Sequence, residues 1–185
     1  MNAKRIRCLV LAALALCAVT AGCQSPGAGG DSKLSGSAED VLNLVLDGID
    51  ASLPEDQKMP MSFSQPVTAD DSQYTIGLSP DDFDKYVSEA VSSMATIGTH
   101  AHQIILIKAK SVQDAAEVKK LITSDGGYDP KKWVCVYPKK GVAVDSGSYV
   151  LLIAGEAAVA DAGVGVFKNE AGSAGDVITF WEFTG

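Results

Sequence analysis

Cysteine and histidine are the scarcest reactive residues in this chain, with four and two copies among 185 residues. Cys8, Cys17 and Cys23 crowd the N-terminus and leave Cys135 alone beyond it, which excludes a disulfide-stapled scaffold. Two histidines, His100 and His102, confine any histidine-dependent acyl transfer or metal chemistry to one short segment. Long apolar runs are also few, so a multi-pass membrane protein is excluded. Basic residues are outnumbered by acidic ones, 15 against 23, and the net charge is −8. A surface of that sign repels nucleic acid, which is excluded as a partner. What the chain does have is 46% apolar residues, the composition of one globular domain and not of a disordered one.

The N-terminus reads as an address. Lys4, Arg5 and Arg7 precede the apolar run from Cys8 to Val19, and the small residues Ala21 and Gly22 stand before Cys23. That is the pattern of a secretory signal peptide over residues 1–22. Leu9 to Val19 would make only about 16 Å of helix, half the thickness of a bilayer core. The junction Ala21-Gly22-Cys23 is similar to a lipobox, with Thr20 where that motif commonly carries Leu. Lipidation of Cys23 is therefore expected, and its acyl chains would hold the protein at the outer face of the cytoplasmic membrane. The alternative, an ordinary secretory cleavage near Ala21, would leave an odd free thiol. Removing residues 1–22 takes away three positive charges and no acid, which moves the net charge from −8 to −11.

Residues 23–36, rich in Gly, Ser and Pro, read as a flexible tether, and 37–185 as a single domain. Three helix starts share a serine followed three residues later by an aspartate: Ser37/Asp40, Ser79/Asp82 and Ser111/Asp114. The first predicts a helix from Ala38 to about Ala51. The second predicts a helix that carries Phe83, Val87, Ala90, Val91 and Met94 on one stripe and stops before Gly98, and the third a helix burying Val112, Ala115, Val118 and Ile122. Glu156 to Asn169 reads as a fourth helix, weakened by Gly163 and Gly165. Strands are expected at Gln73–Leu78, His102–Ala109, Trp133–Tyr137, Val142–Val144, Tyr149–Ala154 and, optionally, within 176–183. The run Ile104 to Ile107 predicts a central strand covered on both faces, and Gly147 a short hairpin loop. The order α-β-α-β-α-β-β-α, with the optional last strand, implies an α+β fold: a two-layer domain with a mixed β-sheet and helices packed on it. The proline-rich segment 53–72 is a long loop and a candidate wall of any binding surface.

The stretches Tyr74 and Ser79 to Tyr86, Ile104 to Lys110, Ala116 to Leu121 and Gly147 to Ile153 together resemble a family of small lipoproteins of clostridial and related Gram-positive bacteria that carries a domain of unknown function. The resemblance covers roughly residues 70–168. It implies a lipid-anchored location and a small α/β domain, and it carries over no catalytic or binding residue.

The chemistry searched for is mostly missing. There is no Gly-x-Ser-x-Gly elbow, no Ser-x-x-Lys and no phosphate-cradling glycine motif, so no catalytic residue and no cofactor is assigned. His100 and His102 are the best metal candidates, since residues two apart on a strand share a face; the other reading is a pair that merely enters the strand at its exposed end. Asp81, Asp82 and Asp84 suit a helix N-terminus, and Cys135, in an apolar stretch, is expected to be buried and inert. Trp133, Tyr137, Trp181 and Phe183 would stack on sugars if exposed, but such strand positions are commonly core. The functional expectation is a non-enzymatic envelope module that binds a protein partner or a small ligand. Two alternatives stay open: a hydrolytic or metal-dependent envelope enzyme using His100 and His102, and an accessory subunit of a transporter.

Overall fold

The computed structural model describes residues 31–133 and 135–184. The signal peptide, Cys23 and the first part of the expected tether lie outside the described residues. The fold is α+β, 39% helical and 26% strand.

The Ser-x-x-Asp starts hold. α1 (Ala38–Ser52) is opened by Ser37, whose Oγ accepts from the Asp40 amide at 3.1 Å while the Asp40 carboxylate accepts from the Ser37 amide at 2.9 Å. At α3 (Pro80–Tyr86) and α4 (Val112–Thr123) the Ser79 and Ser111 hydroxyls likewise accept from the Asp82 and Asp114 amides, each at 3.1 Å. A fourth instance, Thr68 with Asp71, opens α2 (Ala69–Thr75) where a strand was expected at Gln73–Leu78. The last helix, α5 (Ala157–Ala171), ends at Gly172 in the left-handed conformation.

Six strands form one sheet in the order β1-β2-β3-β5-β4-β6, and every pairing is antiparallel. They are β1 (Ser62–Pro66), β2 (Val87–Ala95), β3 (Gln103–Ala109), β4 (Lys140–Ser146), β5 (Tyr149–Gly155) and β6 (Ile178–Glu182). β4 and β5 form the expected hairpin, with Gly147 at φ 55° in its two-residue loop. Side chains alternate between two cores. Ile104, Leu106, Leu151 and Ile153 pack under α1 and α5; Ile105, Ile107, Val150 and Leu152 pack under α4. Helices therefore cover both faces, and the stack has three layers rather than the two expected. Gly163 lets α5 approach: a Cβ there would stand 2.3 Å from Ile153 Cδ1.

Three further expectations are corrected. The long helix from Pro80 to Met94 stops at Tyr86, and its second half is strand β2. Its apolar stripe would put Ala90 and Val91 on one side, but the two residues feed opposite cores, and the β-branched and serine-rich run Val87 to Ser93 suits a strand that β1 and β3 flank. Trp133–Tyr137 forms no strand among its described residues, because both sides of β4 are already taken by β5 and β6. Residues 32–36 are not free tether. The Lys33 amide donates to Ala171 O at 2.9 Å, Tyr149 OH donates to Gly36 O at 2.8 Å, and Leu34 packs on the core. The segment 53–72 holds a 3₁₀ turn at Glu55–Gln57, the edge strand β1 and the start of α2.

Candidate functional site

At the end of the sheet where β3 begins and β5 finishes lies a cleft of about 870 Å³, within the range of small-molecule sites. Five stretches of chain build it. His100 and His102 come from the approach to β3, and Glu156 to Val159 from the junction of β5 and α5. Cys135 and Tyr137 come from the irregular segment before β4, with Phe183 from the chain past β6. The segment 53–72, expected as a wall, supplies Asp56, Lys58 and Pro60.

His102 is only 3% exposed, and its Nε2 has no hydrogen-bond partner among the described residues. Burial, helped by the neighbouring His100, holds its pKa down to about 4, so the ring is neutral at pH 7. An unpartnered buried polar atom is costly in a folded protein and marks the place for a ligand, water or ion. His100 is exposed, and both histidines precede β3, so they do not form the same-face strand pair that the spacing suggested. Among the described residues no group of three or more His, Cys, Asp and Glu side chains is placed to hold a metal ion.

The N-terminus of α5 opens on the cleft. α1 to α4 each start with a Ser or Thr hydroxyl bonded to the carboxylate three residues on. α5 starts with Glu156, which makes no side-chain bond to the helix, and its first turn Ala157-Ala158-Val159 holds no acid. The first amides of a fifteen-residue helix, at the positive end of its dipole, are thus left without a side-chain cap. Across the cleft the Tyr137 and Phe183 rings stack at 5.8 Å, 43% and 39% exposed. Lys139 Nζ sits 4.6 Å from the centre of the Phe183 ring.

Two expectations change here. Cys135 is exposed on the cleft rather than buried, because the strand that would have buried it does not form. Of the four aromatics considered for stacking, Tyr137 and Phe183 are exposed, whereas Trp181 is partly buried and donates through Nε1 to Pro138 O at 2.8 Å. The Asp81-Asp82-Asp84 trio lies in α3 as a helix-start cluster, and none of it lines the cleft.

No family model, curated protein or solved structure matches the chain. Function is therefore argued from the clefts themselves. A second one, about 880 Å³, lies between α2 and the segment 122–132, but its Lys132 and Tyr128 are already engaged. Lys132 Nζ donates to Thr75 O at 3.0 Å and sits 4.2 Å from the centre of the Tyr128 ring. Tyr128 OH donates to Gln103 Oε1, and Gln103 Nε2 donates to Ser92 Oγ. Burial lowers the Lys132 ammonium to about 7 and pushes the Tyr128 phenol up. That network ties α2 to the sheet, whereas the His102 cleft keeps its buried polar group unspent.

What sequence reasoning missed is the foot of α5. The signal was present: Glu156-Ala-Ala-Val159 breaks the Ser/Thr-x-x-Asp habit of the other helices.

Proposed function

We propose that this protein is a lipid-anchored, extracytoplasmic binding module of the bacterial envelope, held through Cys23 at the outer face of the cytoplasmic membrane, and that it takes a small ligand in the His102 cleft. The lipobox-like junction and the resemblance to clostridial lipoproteins support the location. The observation that carries the binding reading is His102, a buried imidazole in the wall of a cleft of ligand size, whose Nε2 has no partner among the described residues.

The cleft also lies at the opposite end of the sheet from residues 32–36. Residues 32–36 join the domain beside the β4–β5 loop, where Ser146 Oγ donates to Ser32 Oγ at 2.8 Å, and the cleft lies at the other end of the same strands. Seven residues of β5 separate the two ends by roughly 23 Å at about 3.4 Å per residue.

The test is a thermal-shift panel of metals, sugars, peptidoglycan fragments and organic acids on the full chain. A ligand at about 100 times its Kd adds roughly 2.7 kcal/mol. A shift that His102→Ala abolishes supports the reading, and a flat panel sinks it. Metabolic labelling with palmitate, lost in Cys23→Ser, tests the anchor.

One observation favours a second reading as an enzyme: His100, His102, Cys135 and Glu156 line one cleft. Against it, the histidines make no side-chain hydrogen bond to a nucleophile or carboxylate among the described residues, so no base is oriented for catalysis. Hydrolytic turnover lost in Cys135→Ser would establish it.

A further inference from the structure

We propose that the ligand of the His102 cleft is a small monocarboxylic acid with an apolar body, its carboxylate seated on the uncapped start of α5 beside His102 and its body against the Tyr137 and Phe183 rings. This rests on the cleft being a binding site and names what it binds.

Two independent features meet at one spot. The first is the helix start. The first-turn amides of α5 point along the axis into the cleft wall, and neither Glu156 nor any acid of the first turn satisfies them. A carboxylate accepts two or three such N–H bonds and is favoured by the helix dipole. The second is the buried ring of His102, which has an unpartnered nitrogen and lines the same cleft. The two are neighbours through the ring's other nitrogen: His102 Nδ1, not the unpartnered Nε2, lies 3.3 Å from the point where a Cβ on Gly155 would stand, one residue before the N-cap of α5, so Nδ1 is the ring atom nearest a ligand seated there. A neutral imidazole carries one N–H, a further donor for a carboxylate.

The charges of the lining select a single negative charge. Lys58 and Lys139 are balanced by Asp56 and Glu156, and Lys58 is already paired with Glu55 at 3.0 Å. A phosphate dianion would meet two carboxylates with little cationic surplus, whereas a monoanion is matched by the helix end. The half-exposed aromatic pair offers an apolar face that a bare anion would leave unused.

The experiment titrates the 15N-labelled full chain in detergent micelles with phenylacetate, with its neutral amide phenylacetamide, and with inorganic phosphate. Phenylacetate is expected to move the amide resonances of Ala157, Ala158 and Val159 and the His102 ring signals, with saturation. Phenylacetamide is expected to bind at least about tenfold more weakly, as the loss of charge-assisted bonds requires. Ala157→Pro removes one amide at a position that tolerates proline, since Glu156 is already extended at φ −64° and ψ 145°. It should weaken phenylacetate about tenfold and leave the thermal midpoint unchanged. Glu156→Gln, which removes a carboxylate and disturbs no packing, should tighten it severalfold. Equal affinity for acid and amide overturns the carboxylate assignment and leaves the cleft as a neutral-ligand site. Tighter binding of phosphate overturns it in favour of a dianion, and shifts confined to other regions overturn it outright. If no probe moves any cleft resonance while the thermal panel finds a ligand of another class, the carboxylate assignment alone fails. If both are silent, the binding reading falls with it.

Discussion

Asp145 on β4 is fully buried and Lys119 on α4 nearly so, and the two form an ion pair in the core while Lys119 Nζ also donates to Asp176 O at 3.1 Å. Taking one charge away strands the other in a low dielectric. Asp145→Ala is therefore expected to cost about 3–5 kcal/mol in denaturant unfolding, while the double change Lys119→Met with Asp145→Leu should cost much less. Half of this pair was legible. Residue 119 lies on the stripe of Ala115 and Ile122, but nothing local announces that its partner stands 26 residues on. The second residue-scale consequence concerns pH. His102 has a folded pKa of about 4 against 6.5 for a free side chain, so between those values the unfolded chain binds the extra proton. Its neutral burial is without penalty above pH 6.5, and stability falls as pH drops from 6.5 towards 4, by about 3 kcal/mol over the whole window. Thermal midpoints across that range should slope downward with acidity, and His102→Gln should flatten the slope.

Elements that carry their own start signal were readable, and those that depend on neighbours were not. Ser37, Ser79 and Ser111 place the starts of three helices, because a hydroxyl and a carboxylate three positions apart satisfy amides of the first turn wherever the helix goes. Ser111→Ala should accordingly lower stability by about 1 kcal/mol, read from the urea midpoint at constant slope. The end of α3 carries no such signal. Phe83, Val87, Ala90 and Met94 satisfy the helical period, and only the vacancy between β1 and β3 makes Val87–Ala95 a strand. Conversely, Trp133–Tyr137 has strand composition, but both sides of β4, the strand that follows it, are taken by β5 and β6. That loss turns Cys135 and Tyr137 towards solvent, and with them a wall of the cleft. The candidate site was thus half readable: His100, His102 and the segment 53–72 drew notice from their residue types, whereas the foot of α5 is defined by the absence of a cap.

The molecule as a whole has two poles. α1, α5, β3 and β5 run between them, with the attachment of residues 32–36 at one and the cleft at the other. With the proposed location at the outer face, a bulky, membrane-impermeant maleimide added to intact cells should label Cys135, which is exposed at the far pole, and Cys135→Ser should abolish the signal. Failure of the wild-type chain to label would mean that the pole is covered or on the other side of the membrane. The near pole has a mechanical consequence. If the domain is held through its N-terminus as proposed, any drag on it loads first the few bonds of residues 32–36: Lys33 to Ala171, Ser32 to Ser146, and Gly36 to Tyr149 and Lys108. Those bonds are few and sit ahead of α1, so they act as a clasp that yields before the sheet feels tension. Five residues pulled straight lengthen the leash by about 17 Å at about 3.5 Å each, so the domain gains reach under load without unfolding.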